Sequence, residues 1–164
     1  LCVTLGAQML LAADRAPDIA TATALIRQTI TDGSALAKFA EFIAAQGGDP
    51  DYVHHPGRLP VASLVEPLIA PCAGFIEQIT CDAVGHCSLI LGGGRLTKDS
   101  PIDLTAGILL NKKVGDPVDK GEPLAWLHAN DQQKLSEAKS KLLKAYKFSD
   151  KAVNVPSLVK GFIT

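Results

Sequence analysis

Cysteine and histidine are the residue types in this chain that could hold a metal ion, because thiolate and imidazole are the usual zinc ligands. No C-x-x-C pair occurs, and Cys81, His86 and Cys87, although close together, lack the short spacing of zinc knuckles. The adjacent His54 and His55 lie in a Gly- and Pro-rich stretch, where exposed histidines without partners are expected. We expect no metal site and four small, buried, reduced cysteines. They are Cys2, Cys72, Cys81 and Cys87.

Nucleophilic catalysis needs a nucleophile beside a base, and the sequence offers no such arrangement. Ser63, Ser88 and Ser100 lie outside any G-x-S-x-G pattern. His86 and His128 are isolated, and we expect His86 to be half-buried with its hydrogen bonds satisfied. We therefore assign no catalytic and no substrate-binding residue to this sequence.

A glycine run, Gly92, Gly93 and Gly94 followed by Arg95, could cradle phosphate if its N–H groups converged at the start of a helix. The run instead follows an apolar helical pattern, so it meets the electronegative C-terminal end of a helix. Neither G-x-x-x-x-G-K-[ST] nor G-x-G-x-x-G occurs. We interpret the glycines as a helix stop with a close backbone approach, and Arg95 as a candidate contact for an anion or another domain.

A second glycine signal lies in KKVGDPVDKGEPLAWLHA at 112–129, where Gly115 and Gly121 mark turns with unusual backbone angles. Together with IAPCAGFIEQI upstream, this stretch resembles the hammerhead motif of biotinyl and lipoyl carrier domains, which present a modified lysine at a hairpin tip. Residues 150–152, Asp-Lys-Ala, have the letters of such a site, but they follow the last expected helix. A carrier function stays open as an alternative, as does a stand-alone interaction domain.

The elements that must position these residues begin with helices. Asp18 is the expected N-cap of one amphipathic helix and Ser34 that of the next, which stops at Gly47. Their expected inward residues are Ile19, Ala22, Ile26 and Ile30, and then Leu36, Phe39, Ala40, Ile43 and Ala44. A Gly- and Pro-rich loop follows, and we place a boundary near residues 49–60.

Strand patterns follow Pro60. Strands are expected at 61–70, where Pro67 requires an edge, bend or bulge, and then at 74–80, 102–110 and 124–129. Asp82 is the expected cap of a short helix, and residues 131–147 form an amphipathic helix. The inward residues of that last helix are Leu135, Ala138, Leu142 and Ala145. The fold class is α+β, with N-terminal helices before a strand–strand–helix–strand–strand–helix block.

Composition narrows the function classes. The 164 residues are 47% hydrophobic and carry a net charge of −1, which is globular and lacks the basic excess of a nucleic-acid-binding protein. Six lysines between Lys134 and Lys151 could meet phosphate, but a solvated face explains them better. We expect no nucleic-acid partner.

The first thirteen residues are almost wholly apolar, although too few to span a membrane and without the flanks of a signal peptide. A helix that is apolar all round needs burial. We therefore expect the chain to be the C-terminal piece of a longer protein. Residues 1–13 should then present an exposed apolar patch or make an oligomer contact.

Four stretches, in order, resemble the pyrimidine-nucleoside phosphorylases, a family that includes thymidine phosphorylase. They are TLGAQML at 4–10, AAQGG at 44–48, LGGGRLTKDSPIDLTAGI at 91–108 and KKVGDPVDKGEPLAWLHAND at 112–131. The resemblance implies reversible phosphorolysis of a pyrimidine nucleoside to the base and a (deoxy)ribose 1-phosphate, with phosphate as co-substrate and no other cofactor.

The resemblance also implies where this chain belongs. Residues 1–55 would be helices closing the family's phosphate-binding domain, and residues 60–164 its C-terminal α/β hammerhead domain, with a structural role. The family's phosphate loop, Lys-His-Ser-Thr-Gly-Gly-Val-Gly-Asp, and its pyrimidine-binding Arg, Ser and Lys are not among these stretches and would lie upstream. The implied parent is a cytoplasmic homodimer without membrane contact; whether it prefers thymidine or uridine stays open.

Overall fold

The computed structural model describes residues 1–95 and 97–161, which divide into two compact units. The first comprises Leu1–Leu59 with the described residues 157–161, and the second is Pro60–Pro156. None of the helices in the described ranges is both long enough and apolar enough to cross a membrane.

Helices make up the first unit. They are α1 (Cys2–Ala12), α2 (Ile19–Thr31), α3 (Ser34–Ala45) and α4 (Asp51–His54), followed by a 3-10 turn at Pro56–Arg58. The expected Asp18 cap of α2 is confirmed, since its carboxylate accepts the Thr21 N–H at 2.7 Å. Ser34 does not cap α3: it is the first helical residue and follows Gly33, whose φ is +80°. The expected loop at 49–60 in fact holds α4 and the 3-10 turn.

The apolar faces of the helices in the first unit are mostly exposed to solvent. Among its described residues only Ala7, Ala22 and Ala40 are buried. The inward stripes expected on α2 and α3 are therefore wrong in extent. The large side chains left exposed on those two helices are Ile19, Leu25, Ile30, Leu36, Phe39 and Phe42. The expected apolar patch on α1 is confirmed, because Leu5 and Met9 are 55% and 72% exposed.

Two antiparallel sheets and two helices form the described part of the second unit. One sheet has the order β1 (Leu64–Ile69), β5 (Pro123–Ala129), β3 (Gly107–Leu110). The other has the order β4 (Pro117–Val118), β2 (Gly74–Ile79), β6 (Tyr146–Ser149). The helices are α5 (Cys81–Leu91) and α6 (Gln132–Ala145).

The α+β class is confirmed, and the short strands β4 and β6 add to the expected order. Pro67 lies in β1, an edge strand of its sheet, which is the kind of position where proline is tolerated in a sheet. The strand expected at 102–110 begins only at Gly107, after a turn. The helix expected to begin after an Asp82 cap includes Asp82 in its first turn and has Thr80 at the N-cap position.

The core of the second unit lies between α5, α6 and the sheets. The expected inward face of α6 is confirmed, since Leu135, Ala138, Leu142 and Ala145 are buried. The helix ends earlier than expected because Tyr146 enters β6. The buried Tyr146 hydroxyl donates to the Leu124 carbonyl at 3.3 Å, and burial raises the pKa of this phenol to about 12.

Candidate functional site

The glycine run closes α5 and brings its end against a later turn of the chain. Gly92 has a φ of +109°, and its carbonyl accepts the Asp103 N–H at 2.9 Å. A Cβ on Gly93 would lie 2.9 Å from Ser88 Oγ and 3.1 Å from the Ala106 carbonyl oxygen. A Cβ on Gly94 would lie 2.9 Å from a terminal methyl group of Leu89. The backbone N–H groups of the glycine run lie at the C-terminal end of α5. They therefore do not form a phosphate-binding site of the kind found at the start of a helix.

Asn130 is the centre of the most connected side-chain cluster near those glycines. Its amide nitrogen donates to Asp103 Oδ2 and to Thr105 Oγ1, both at 2.8 Å. Its amide oxygen accepts from the Ser63 N–H at 2.8 Å and from the Ser63 hydroxyl at 2.9 Å. One side chain thereby joins the residues before β1, before β3 and after β5.

Asp103 completes this cluster from the turn before β3. Its Oδ1 accepts the Thr105 N–H at 2.9 Å and the Thr105 hydroxyl at 2.7 Å. Hydrogen bonds from Thr105 and Asn130 hold the pKa of Asp103 below its usual value, because they stabilise the carboxylate. The carboxylate is therefore an acceptor fixed in place, unsuited to giving up a proton near neutral pH.

An open cleft lies beside the cluster. Its walls come from the end of α5, from Pro101 and Ile102, and from the start of α6 at Asp131 and Lys134. Asp131 occupies the helix start itself, since its carboxylate accepts the Gln133 and Lys134 N–H groups at 2.8 and 2.9 Å. The N–H groups that could have received an anion are thus already paired with a carboxylate.

Arg95, the candidate anion contact, is exposed and directly follows the glycine run. Within residues 1–95 and 97–161 its guanidinium makes no hydrogen bond or ion pair. Its role stays a prediction.

The second glycine signal forms two turns. Gly115 has a φ of +90°, and its N–H donates to the Ile76 carbonyl at 2.9 Å. Gly121 has a φ of +92°, and its N–H donates to the Ala70 carbonyl at 3.0 Å. Each glycine therefore supports a turn that pins a loop to a neighbouring segment.

The lysines of α6 and the residues after it form no shared site. Lys139 pairs with Glu66 at 2.7 Å and Lys141 with Glu137 at 2.8 Å. Lys151 follows β6, with its N–H donated to the Ser149 hydroxyl at 3.0 Å. No strand follows it in the part of the chain that the structure describes, so it does not stand at a hairpin tip.

The cysteines and histidines differ from expectation in their burial. Cys87 is buried, which raises the pKa of its thiol, whereas Cys2, Cys72 and Cys81 are exposed. His86 is exposed rather than half-buried.

His55 is not without a partner, since its Nδ1 lies 2.7 Å from Asp51 Oδ1. Across the residues whose positions are described, no group of three or more His, Cys, Asp or Glu side chains could hold a metal ion.

Sequence reasoning missed the Asn130 cluster. Asn130 and Ser63 lie 67 positions apart, and neither belongs to a motif with its own chemistry. A signal was nonetheless present, since Asn130-Asp131 stands between the strand pattern of β5 and the helix pattern of α6. Polar residues at such a junction commonly cap or tie down the chain.

Comparison with known proteins identifies the family. Residues 75–149 match the family of the pyrimidine nucleoside phosphorylase C-terminal domain. The chain is 41% identical over 159 residues to the pyrimidine-nucleoside phosphorylase of Geobacillus stearothermophilus. That alignment covers 97% of this chain and 36% of the relative. It is 40% identical over 164 residues to the pyrimidine-nucleoside phosphorylase of Staphylococcus aureus strain USA300. That alignment covers 100% of this chain and 37% of the relative.

The chain therefore spans a little over a third of the length of these curated relatives, and identity at this level extends from its first unit through its second. The expected resemblance is confirmed: the chain belongs to the pyrimidine-nucleoside phosphorylase family, and it contains that family's C-terminal domain.

Proposed function

We propose that this chain works as the C-terminal part of a pyrimidine-nucleoside phosphorylase. The parent enzyme would convert a pyrimidine nucleoside and phosphate reversibly to the free base and a (deoxy)ribose 1-phosphate. The observation that carries the proposal is 40% identity over the whole chain to a relative of which it covers only 37%. The larger share of such an enzyme must come from other residues.

The role of this part is structural. The side chains that the described residues bring together, around Asn130 and at the Gly115 and Gly121 turns, hold backbone segments to one another. The phosphate loop and the pyrimidine-binding Arg, Ser and Lys of the family lie outside the matching stretches. The catalytic groups would then belong to the upstream domains, with residues 1–55 closing the phosphate-binding domain and residues 60–164 forming the hammerhead domain.

The first unit supplies the surface for those upstream domains. Phe39 and Phe42 on α3 are 50% and 58% exposed, and Leu5 and Met9 on α1 are more than half exposed. Exposed large apolar side chains mark interaction surfaces when they cluster, since full burial of each stabilises by about 1.5–3 kcal/mol. The upstream domains of the same polypeptide are the partner that we assign to this surface, and the parent would assemble as a homodimer.

The test is a phosphorolysis assay with thymidine or uridine and phosphate, in which release of the free base is measured. The full-length protein that carries this chain should turn over, and the 164-residue chain alone should show none. Activity of the isolated chain that survives repurification would contradict the structural role, and a full-length protein without activity would contradict the assigned reaction. The mass of the native protein decides the carrier alternative, because a biotinyl or lipoyl group on Lys151 would add to it.

A further inference from the structure

The segment 97–106, between the glycine run and β3, makes little apolar contact with the core, since Ala106 at its end packs against the core but Ile102 and Leu104 do not. Leu104 is 91% exposed and Ile102 is 42% exposed. Two of its backbone bonds are internal, Ser100 N–H to Thr97 O at 3.1 Å and Ala106 N–H to Asp103 O at 3.2 Å. A third, from Asp103 N–H to the Gly92 carbonyl at 2.9 Å, ties the segment to the end of α5. A segment with few buried contacts opens locally at low cost unless polar bonds from outside hold it.

The side-chain bonds that hold the segment from outside come from Asn130, which occupies a rigid position. It directly follows Ala129, which is fully buried at the end of β5, and directly precedes Asp131, the N-cap of α6. From there its amide nitrogen reaches Asp103 and Thr105 in the segment. The chain thus places the fixed partner on one side of these bonds and the loosely packed segment on the other.

The direction of the Asn130 amide is dictated by its neighbours. The Ser63 N–H can only donate, so the amide oxygen must face it. The Asp103 carboxylate can only accept, so the amide nitrogen must face that side. Both hydrogens and both lone pairs of the amide are used, and no rotated arrangement would satisfy the same partners.

We propose that Asn130 is the positioning residue for segment 97–106, and that it acts through the donor direction of its amide toward Asp103. The inference is independent of the proposed function. We call segment 97–106 the strap. Breaking its hydrogen bonds to Asn130 opens the strap locally and leaves the core of the second unit intact.

Two single variants and their combination test the direction of the bond. Asn130→Asp keeps the acceptor toward Ser63 but sets a carboxylate against Asp103. Asp103→Asn keeps the acceptor toward Thr105 but sets an amide nitrogen against the Asn130 amide nitrogen. The double variant Asn130→Asp with Asp103→Asn restores a donor facing an acceptor, with the polarity reversed. Ser63→Ala is the control that removes a bond on the far side of Asn130.

Amide hydrogen exchange of residues 97–106 and of β5 at pH 7 is the readout, in the polypeptide that carries the chain. Each single variant should speed exchange in the segment by about tenfold or more while β5 keeps its protection. The double variant should recover much of the lost protection. Ser63→Ala should change the exchange rate of the segment, relative to the unsubstituted protein, by less than either single variant does.

Two results would overturn the proposal. One is segment exchange that neither single variant changes. The other is a double variant no better protected than the singles, which would mean that side-chain bulk rather than bond direction holds the strap. If Asn130→Asp fails to fold, Asp103→Asn against the double variant makes the same comparison.

Discussion

Gly115 and Val155 lie so close that a Cβ built on the glycine would overlap the Cγ2 methyl group of the valine. Gly115 also has a φ of +90°, a backbone conformation that residues with a side chain rarely adopt. The turn before β4 therefore favours glycine for its backbone conformation, and any side chain placed there would also have to displace Val155.

These two reasons can be separated by a matched pair of variants. Gly121 has nearly the same φ, +92°, but open space where its Cβ would stand. Gly121→Ala should lower the free energy of unfolding by about 1 kcal/mol through backbone strain alone. Gly115→Ala should lower it by more, about 1–3 kcal/mol, and Gly115→Val by at least as much. Chemical denaturation of the three variants measures these losses, and equal losses in the two alanine variants would show that Val155 moves aside freely.

The carboxylate of Asp103 makes the strap sensitive to acid. Its pKa is lowered in the folded protein, so its bonds stabilise the fold above the unfolded pKa, and this contribution is lost as pH falls through the lowered folded pKa. Protease cleavage within residues 97–106 should therefore increase at acid pH, below the usual range of an aspartate. Asp103→Asn should be cleaved readily at neutral pH and show a much flatter pH dependence. A parent protein whose cleavage does not change with pH would contradict this assignment.

The exposed face of α3 should make the isolated chain associate with itself. Phe39 and Phe42 line this face, and water contact with both is unfavourable. Replacing both with Gln should shift the isolated chain toward the monomer in sedimentation velocity, with little change in melting temperature. Lys38→Gln, on the same helix, is the control and should not shift it. An isolated chain that is already monomeric at high concentration would refute the prediction.

The core of the second unit should depend on α6 far more than on the strap. Leu135 is fully buried, and Leu135→Ala should lower the free energy of unfolding by about 2–5 kcal/mol, because it removes apolar contacts and leaves a cavity. Leu104→Ala, at a side chain that is 91% exposed, should change it by less than about 0.5 kcal/mol. Thermal unfolding followed by circular dichroism tests both. A similar loss in the two variants would mean that Leu104 is covered in solution.

Local signals in the sequence determined the parts of the structure that depend on neighbours along the chain. The 3.6-residue spacing of Leu135, Ala138 and Leu142 identified the buried face of α6, because residues three and four apart share one side of a helix. Asp18 identified the start of α2, because a short acceptor side chain satisfies N–H groups only a few residues ahead. The ordered motifs from residue 4 to residue 131 also indicated the family.

Only the tertiary structure decided what covers an apolar face and which distant polar groups meet. Periodicity showed that Phe39 is on an apolar side of α3, but exposure depends on neighbours far along the chain. Likewise, Asn130 meets Ser63 and Asp103 because β1, β5 and β3 are adjacent in one sheet, with β1 and β3 on either side of β5. Strand order depends on contacts between segments separated by tens of residues, and such contacts leave no periodic signal in any one segment.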